Sequence, residues 1–144
     1  MRLTEYTRRL LALAETVHRW LSSLAALDPG QRDRLANYAG EVAATLNRAA
    51  SALLRIEAAP ADPAAHIEAI REFGRITGYI ETIVSVLQHQ LDGRKLAGVK
   101  RRLELLQPAD LTLDAGQNLD RKTLLGRLVA AEGYFRALAD GLRA

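Results

Sequence analysis

The chain has 144 residues, 49% of them hydrophobic and 26% charged, a length and mixture that fit one domain over 1–144 and exclude disorder and fibrous architecture. Aromatic residues make up only 5%, and the Ala-, Leu- and Arg-rich balance suits helices better than strands. A net charge of +3 is too mild to mark a nucleic-acid binder by itself, and the absence of cysteine removes disulfides, thiolate metal ligands and cysteine nucleophiles together.

The first residues, Met1 to Tyr6, are charged and lack the apolar run of a signal peptide. No stretch approaches the ~20 apolar residues that cross a bilayer. The expectation is a soluble cytoplasmic protein with no membrane partner.

Leu3, Tyr6, Leu10, Leu13, Val17, Trp20, Leu24 and Leu27 alternate at spacings of three and four, the seam of one long helix. Asp28-Pro29-Gly30-Gln31 then starts a second helix: a capping carboxylate, proline at the first helical position, and Gln31 placed to reach back to the cap. Leu35, Ala39, Val42, Leu46, Ala49, Leu53 and Ile56 carry its seam until Pro60 stops it. The link between the first two helices is so short that it predicts antiparallel neighbours.

Asp62-Pro63 repeats the cap-and-proline start. The third helix carries Ile70, Phe73, Thr77, Ile80, Val84, Leu87 and Leu91 on its seam, with Ile67, Ile76 and Ile83 widening its apolar face, and Asp92-Gly93 breaks or kinks it. Leu96, Val99, Leu103 and Leu106 mark a short fourth helix ended by Pro108, which either extends the third helix past a kink or covers an open flank. Leu111 and Leu113 are expected to tuck a loop against the bundle, and Asp114-Ala115-Gly116-Gln117 resembles the cap at Asp28. A last long helix carries Leu124, Leu128, Ala131, Phe135, Leu138 and Leu142. The predicted fold is all-α, an antiparallel four-helix bundle of long helices with one additional short helix.

Catalytic and metal motifs are thin. Glu15 and His18 form one Glu-x-x-His spacing, but a carboxylate-bridged di-metal centre needs two, and the seam turns this pair to the outer side of the first helix. His66 and His89 lack the neighbours of a phosphotransfer histidine, and His66 reads as an exposed side chain near a helix start. No arginine stands five to seven residues before any histidine, as helical HEPN-type ribonucleases require. No nucleophile elbow or phosphate-cradling glycine loop is present. No cofactor, metal or catalytic residue is expected.

Two surface features stand out. The segment 94–102 carries Arg94, Lys95, Lys100, Arg101 and Arg102 with no acidic residue, and its inward Leu96, Val99 and Leu103 gather Arg94, Lys95, Arg101 and Arg102 along one flank. Such a ridge suits the phosphates of RNA or DNA, although no aromatic residue is interleaved for base stacking. Small residues form the second feature: Ala36, Gly40, Ala43 and Ala44 beside the second helix's seam, and Gly74 and Gly78 on the third. Glycine inside a helix costs ~1 kcal/mol against alanine, so this stripe points to a close approach by the fourth helix or by another subunit.

The sequence therefore reads first as a non-catalytic bundle acting by helix–helix association, either a homo-oligomer or an accessory subunit of a larger complex. A nucleic-acid-binding accessory protein using 94–102 is the second reading, and an enzyme with an unrecognised pocket the third.

Overall fold

The computed structural model describes residues 3–23, 27–89, 93–106 and 118–143. All ordered elements among them are helical: α1 (Leu3–Ser23), α2 (Pro29–Ala58), α3 (Pro63–Leu87), α4 (Gly93–Leu105) and α5 (Asn118–Arg143). Leu24, Leu91, Leu111, Leu113 and the cap-like 114–117 lie outside the described residues.

Local chemistry sets the helix starts. The Gln31 N–H donates to Asp28 Oδ1 at 2.7 Å and the Asp28 N–H donates to Gln31 Oε1 at 3.3 Å, which completes the reciprocal cap of α2. Asp62 accepts from the Ala64 N–H at 3.0 Å to start α3. α2 ends at Ala58, just before Pro60.

Polar contacts give the helix directions. Glu41 meets Tyr79, Arg48 meets Glu72 and Arg55 meets Glu68, so α2 and α3 are antiparallel. Asn37 meets Arg143 and Asn47 meets Glu132, so α2 and α5 are antiparallel as well. α2 thus lies between α3 and α5 and makes its extensive contacts with both.

The structure corrects the expected pairing of α1 with α2, which share no extensive contact; α1 packs instead on α5 and, less, on α3. Its setting follows from heights. Residue 72 of α3 is level with 48 of α2, and residue 132 of α5 is level with 47. Tyr6 touches α3 at Phe73 and Thr77, and His18 touches α5 at Tyr134 and Phe135, so both contacts lie at nearly one height. Tyr6 and His18 are nevertheless ~18 Å apart along α1 at 1.5 Å per residue. Hence α1 runs steeply across α3 and α5 rather than beside them. A five-residue link can span to a crossing helix as easily as to a neighbour, which is why the short connection misled.

The core holds most of the predicted seams. Tyr6, Leu10, Leu13 and Val17 of α1 are buried, joined by Leu11, Ala14 and Leu21, while Trp20 is only half-buried and Leu27 packs from outside the helix. The full α2 seam is buried, as are Phe73, Ile76, Ile80 and Ile83 of α3 and Leu128, Ala131, Phe135 and Leu142 of α5. Ile67 departs from expectation: it is 57% exposed, on the side of α3 that no described helix covers. α4 settles against α3 through Val99 and Leu103, and residues 100–104 face 81–88, so α4 folds back on α3 rather than extending it. No helix among the described residues is long and apolar enough to cross a membrane.

Candidate functional site

α4 presents its cations outward. Arg94, Lys95, Lys100, Arg101 and Arg102 are all exposed, while Leu96, Val99 and Leu103 turn toward α3. Helical rotation sorts the five. Arg94 and Arg101, seven apart, share the outermost face, and Lys95 and Arg102, also seven apart, run along one flank. Lys100 lies on the opposite flank, where with Glu104 it lines a hollow of about 300 Å³ against Glu81, Ser85 and Gln88 of α3. Gly98 sits between the two rows, and a Cβ built there would meet nothing within 4 Å.

Several cations of the ridge have no carboxylate within ion-pair distance among the described residues. Arg9, Arg48, Arg55, Arg75, Arg127 and Arg136 each pair with a carboxylate. Among the described residues Arg94, Lys100, Arg101 and Arg102 have no such partner. The first turn of α4 holds no acidic residue, so Arg94 and Lys95 stand at the positive end of the helix dipole.

The small-residue stripe divides. Ala36 and Ala43 are wholly buried, so they offer no outer surface, and the expectation that they do is corrected. They lie on the side of α2 from which Asn47 reaches Glu132, and their size lets α5 approach closely. Gly40, Ala44 and Gly74 are half-buried and Gly78 is exposed. An added Cβ at Gly40 or Gly78 would meet nothing within 4 Å. α4 meets α3 at 81–88, beyond both glycines, so it does not explain them.

A comparable row on α5 escaped the sequence reading. Gly126, Ala130, Gly133, Ala137 and Gly141 are all exposed, at spacings of four, three, four and four. The three glycines open onto empty space, and Val129 is exposed beside them. The signal was in the sequence as three glycines within one helix; without coordinates, nothing separated an inner small residue from an outer one.

Glu15 and His18 do not face away from the molecule. With Arg19 they form one wall of a groove of about 340 Å³ whose other wall is Ala131, Tyr134 and Phe135 of α5. The His18 ring lies edge-on to Phe135 at 5.7 Å, and Glu15 accepts from Arg127 at 3.3 Å, so both side chains bind α1 to α5. No cluster of three or more metal-ligating side chains exists among the described residues.

His66 also differs from expectation: it is buried, and its Nε2–H donates to the Pro60 carbonyl at 3.0 Å. This clamps the α2–α3 turn and leaves Nδ1 without a hydrogen-bond partner. Sequence reasoning missed Glu72, a carboxylate 4% exposed that accepts from Arg48 Nε at 3.0 Å with Arg75 nearby. Its signal was positional: Ala65, Ala69, Glu72 and Ile76 follow a four-three-four rhythm along the inner face.

The electrostatics beyond these pairs are local. The Asn47 amide bond to Glu132, with Arg136 alongside, holds that carboxyl below its ordinary range. Burial pushes the Tyr6 phenol up, against a lowering by its bond to Thr77. Compared with protein-family models, curated proteins and solved structures, the chain matches none.

Proposed function

We propose that the protein is a non-catalytic, cytoplasmic helical bundle that works by helix–helix association, as a homo-oligomer or as an accessory subunit. In this reading α1, α2, α3 and α5 close one core as a four-helix bundle, α1 being its steeply inclined member and α4 an outer addition.

The supporting observation is the outward row on α5. Gly126, Gly133 and Gly141 are exposed, with open space where a Cβ would be. Each costs ~1 kcal/mol against alanine in a helix interior. No contact among the described residues offsets that cost, whereas a second helix laid along the row would gain close backbone approach. Gly40, Ala44, Gly74 and Gly78 make a smaller second strip on α2 and α3.

Sedimentation velocity at tens of micromolar tests the reading. The expected result is a reversible oligomer that Gly133→Leu disperses, with α5 still helical by circular dichroism. Gly133→Ala is expected to raise the stability of the dispersed chain by ~1 kcal/mol. A wild-type protein that stays monomeric throughout that range overturns self-association.

A further inference from the structure

We propose that α4 is a docking ridge for the phosphate backbone of double-stranded nucleic acid, bound without regard to base sequence. The proposal stands apart from association through α5, since it uses a different helix and a different kind of contact. α4 packs on α3 through one apolar edge, which leaves the rest of its circumference open. On that open side Arg94 and Arg101 form one row and Lys95 and Arg102 another, with Gly98 between them. The helix backbone is therefore bare at the centre of four cations. A phosphate oxygen can approach it there more closely than any side chain would permit.

Spacing supports a backbone ligand. Seven residues of helix rise ~10.5 Å. A duplex carries one phosphate per about 3.4 Å of its axis on each strand, so a helix lying along that axis spans about three phosphate levels. Arginine supplies three of the four cations, and its guanidinium fork binds phosphate oxygens in pairs.

The helix is built against its own electrostatics. Two cations in a first turn without an acidic residue oppose the dipole, and Arg94, Arg101 and Arg102 find no anion within the described chain. A bound phosphate supplies the anion that these arginines lack and offsets the repulsion at the start of the helix. α4 has no aromatic residue, asparagine or glutamine, so base stacking and adenine readout have no side chains to use. Contacts to phosphate position a protein on the duplex but carry no sequence information.

Fluorescence anisotropy with a labelled mixed-sequence DNA duplex of about 20 base pairs, titrated from about 50 to 200 mM salt, tests the proposal. Four neutralised phosphates predict a log–log salt slope of about −3 to −4 per chain. Arg101→Glu with Arg102→Glu, checked for helix content, is expected to weaken binding more than about tenfold and flatten the slope by about 2. Lys100→Glu, on the opposite flank, is expected to stay within about twofold of wild type. Gly98→Leu keeps every charge but fills the notch, and is expected to weaken binding severalfold. Absence of duplex binding at the lowest salt overturns the proposal, as does an unchanged double variant. Tighter binding of a polyglutamate peptide, or of the single strand alone, overturns it as well.

Discussion

α2 and α4 are both amphipathic helices with leucine and valine at helical spacing, yet they spend those residues differently. α2 lies between α3 and α5 and buries twelve side chains, among them Leu46 at 1% exposure. α4 meets only α3 and buries Val99 and Leu103, the latter at 6%. Burial of the individual leucines is nearly equal; what differs is how many elements depend on each. α2 is a common wall for two helices, α3 and α5, so its loss removes the core. α4 is a tethered rod whose loss removes a surface.

That contrast predicts unequal responses to one chemical change. Leu46→Ala is expected to cost about 2–5 kcal/mol of global stability in urea unfolding. Leu103→Ala is expected to leave the global midpoint within about 0.5 kcal/mol while amide exchange in 93–105 rises, because α4 opens as a local unit. Equal global losses at the two sites would show α4 to be part of the cooperative core and erase the distinction.

The polar contacts sharpen the same comparison. The Arg48 side chain is 40% exposed and holds the Glu72 side chain, which is 5% exposed. Arg48→Ala leaves a buried carboxylate with Arg75 alone at 3.6 Å, at an expected cost of about 1–3 kcal/mol. Arg9→Ala removes a pair exposed on both sides, 49% and 46%, and is expected to change the midpoint by less than about 0.5 kcal/mol. Thermal or urea midpoints of the two variants decide whether burial sets the difference.

Much of this division is legible in the residues, and the exceptions share a cause. Asp28, Pro29 and Gln31 announce the α2 start because a cap is a contact among four consecutive residues. The seams are legible because spacing fixes which residues share a face. Spacing cannot say which helix arrives at that face. Hence Ala36 and Ala43, expected on a free surface, lie beneath α5, and Ile67, expected inside, lies outside. For the same reason α1 was paired with the helix next in sequence rather than with the ones it crosses. The cations of α4 were legible as a charge run, whereas the separation of Lys100 from Arg94 and Arg101 required the position of α3.

A pH-dependent effect concerns the joint between α1 and α3. The Tyr6 hydroxyl and Thr77 Oγ1 are 2.8 Å apart, and Thr77 bonds the Phe73 carbonyl at 3.0 Å. Tyr6→Phe leaves Thr77 that carbonyl, so no polar atom is orphaned, and the cost at neutral pH is expected to be about 0.5–1.5 kcal/mol. Burial raises the phenol's pKa in the folded protein, so the folded state keeps this proton to higher pH than the unfolded chain does. The resulting stabilisation is complete below the unfolded value and is lost as pH rises through the folded one. The wild-type advantage over Tyr6→Phe should therefore hold steady through neutral pH and shrink above about pH 10. A gap that stays constant into strong alkali would mean that the phenol ionises alike in both states, and that α1 does not shield Tyr6 where it crosses α3.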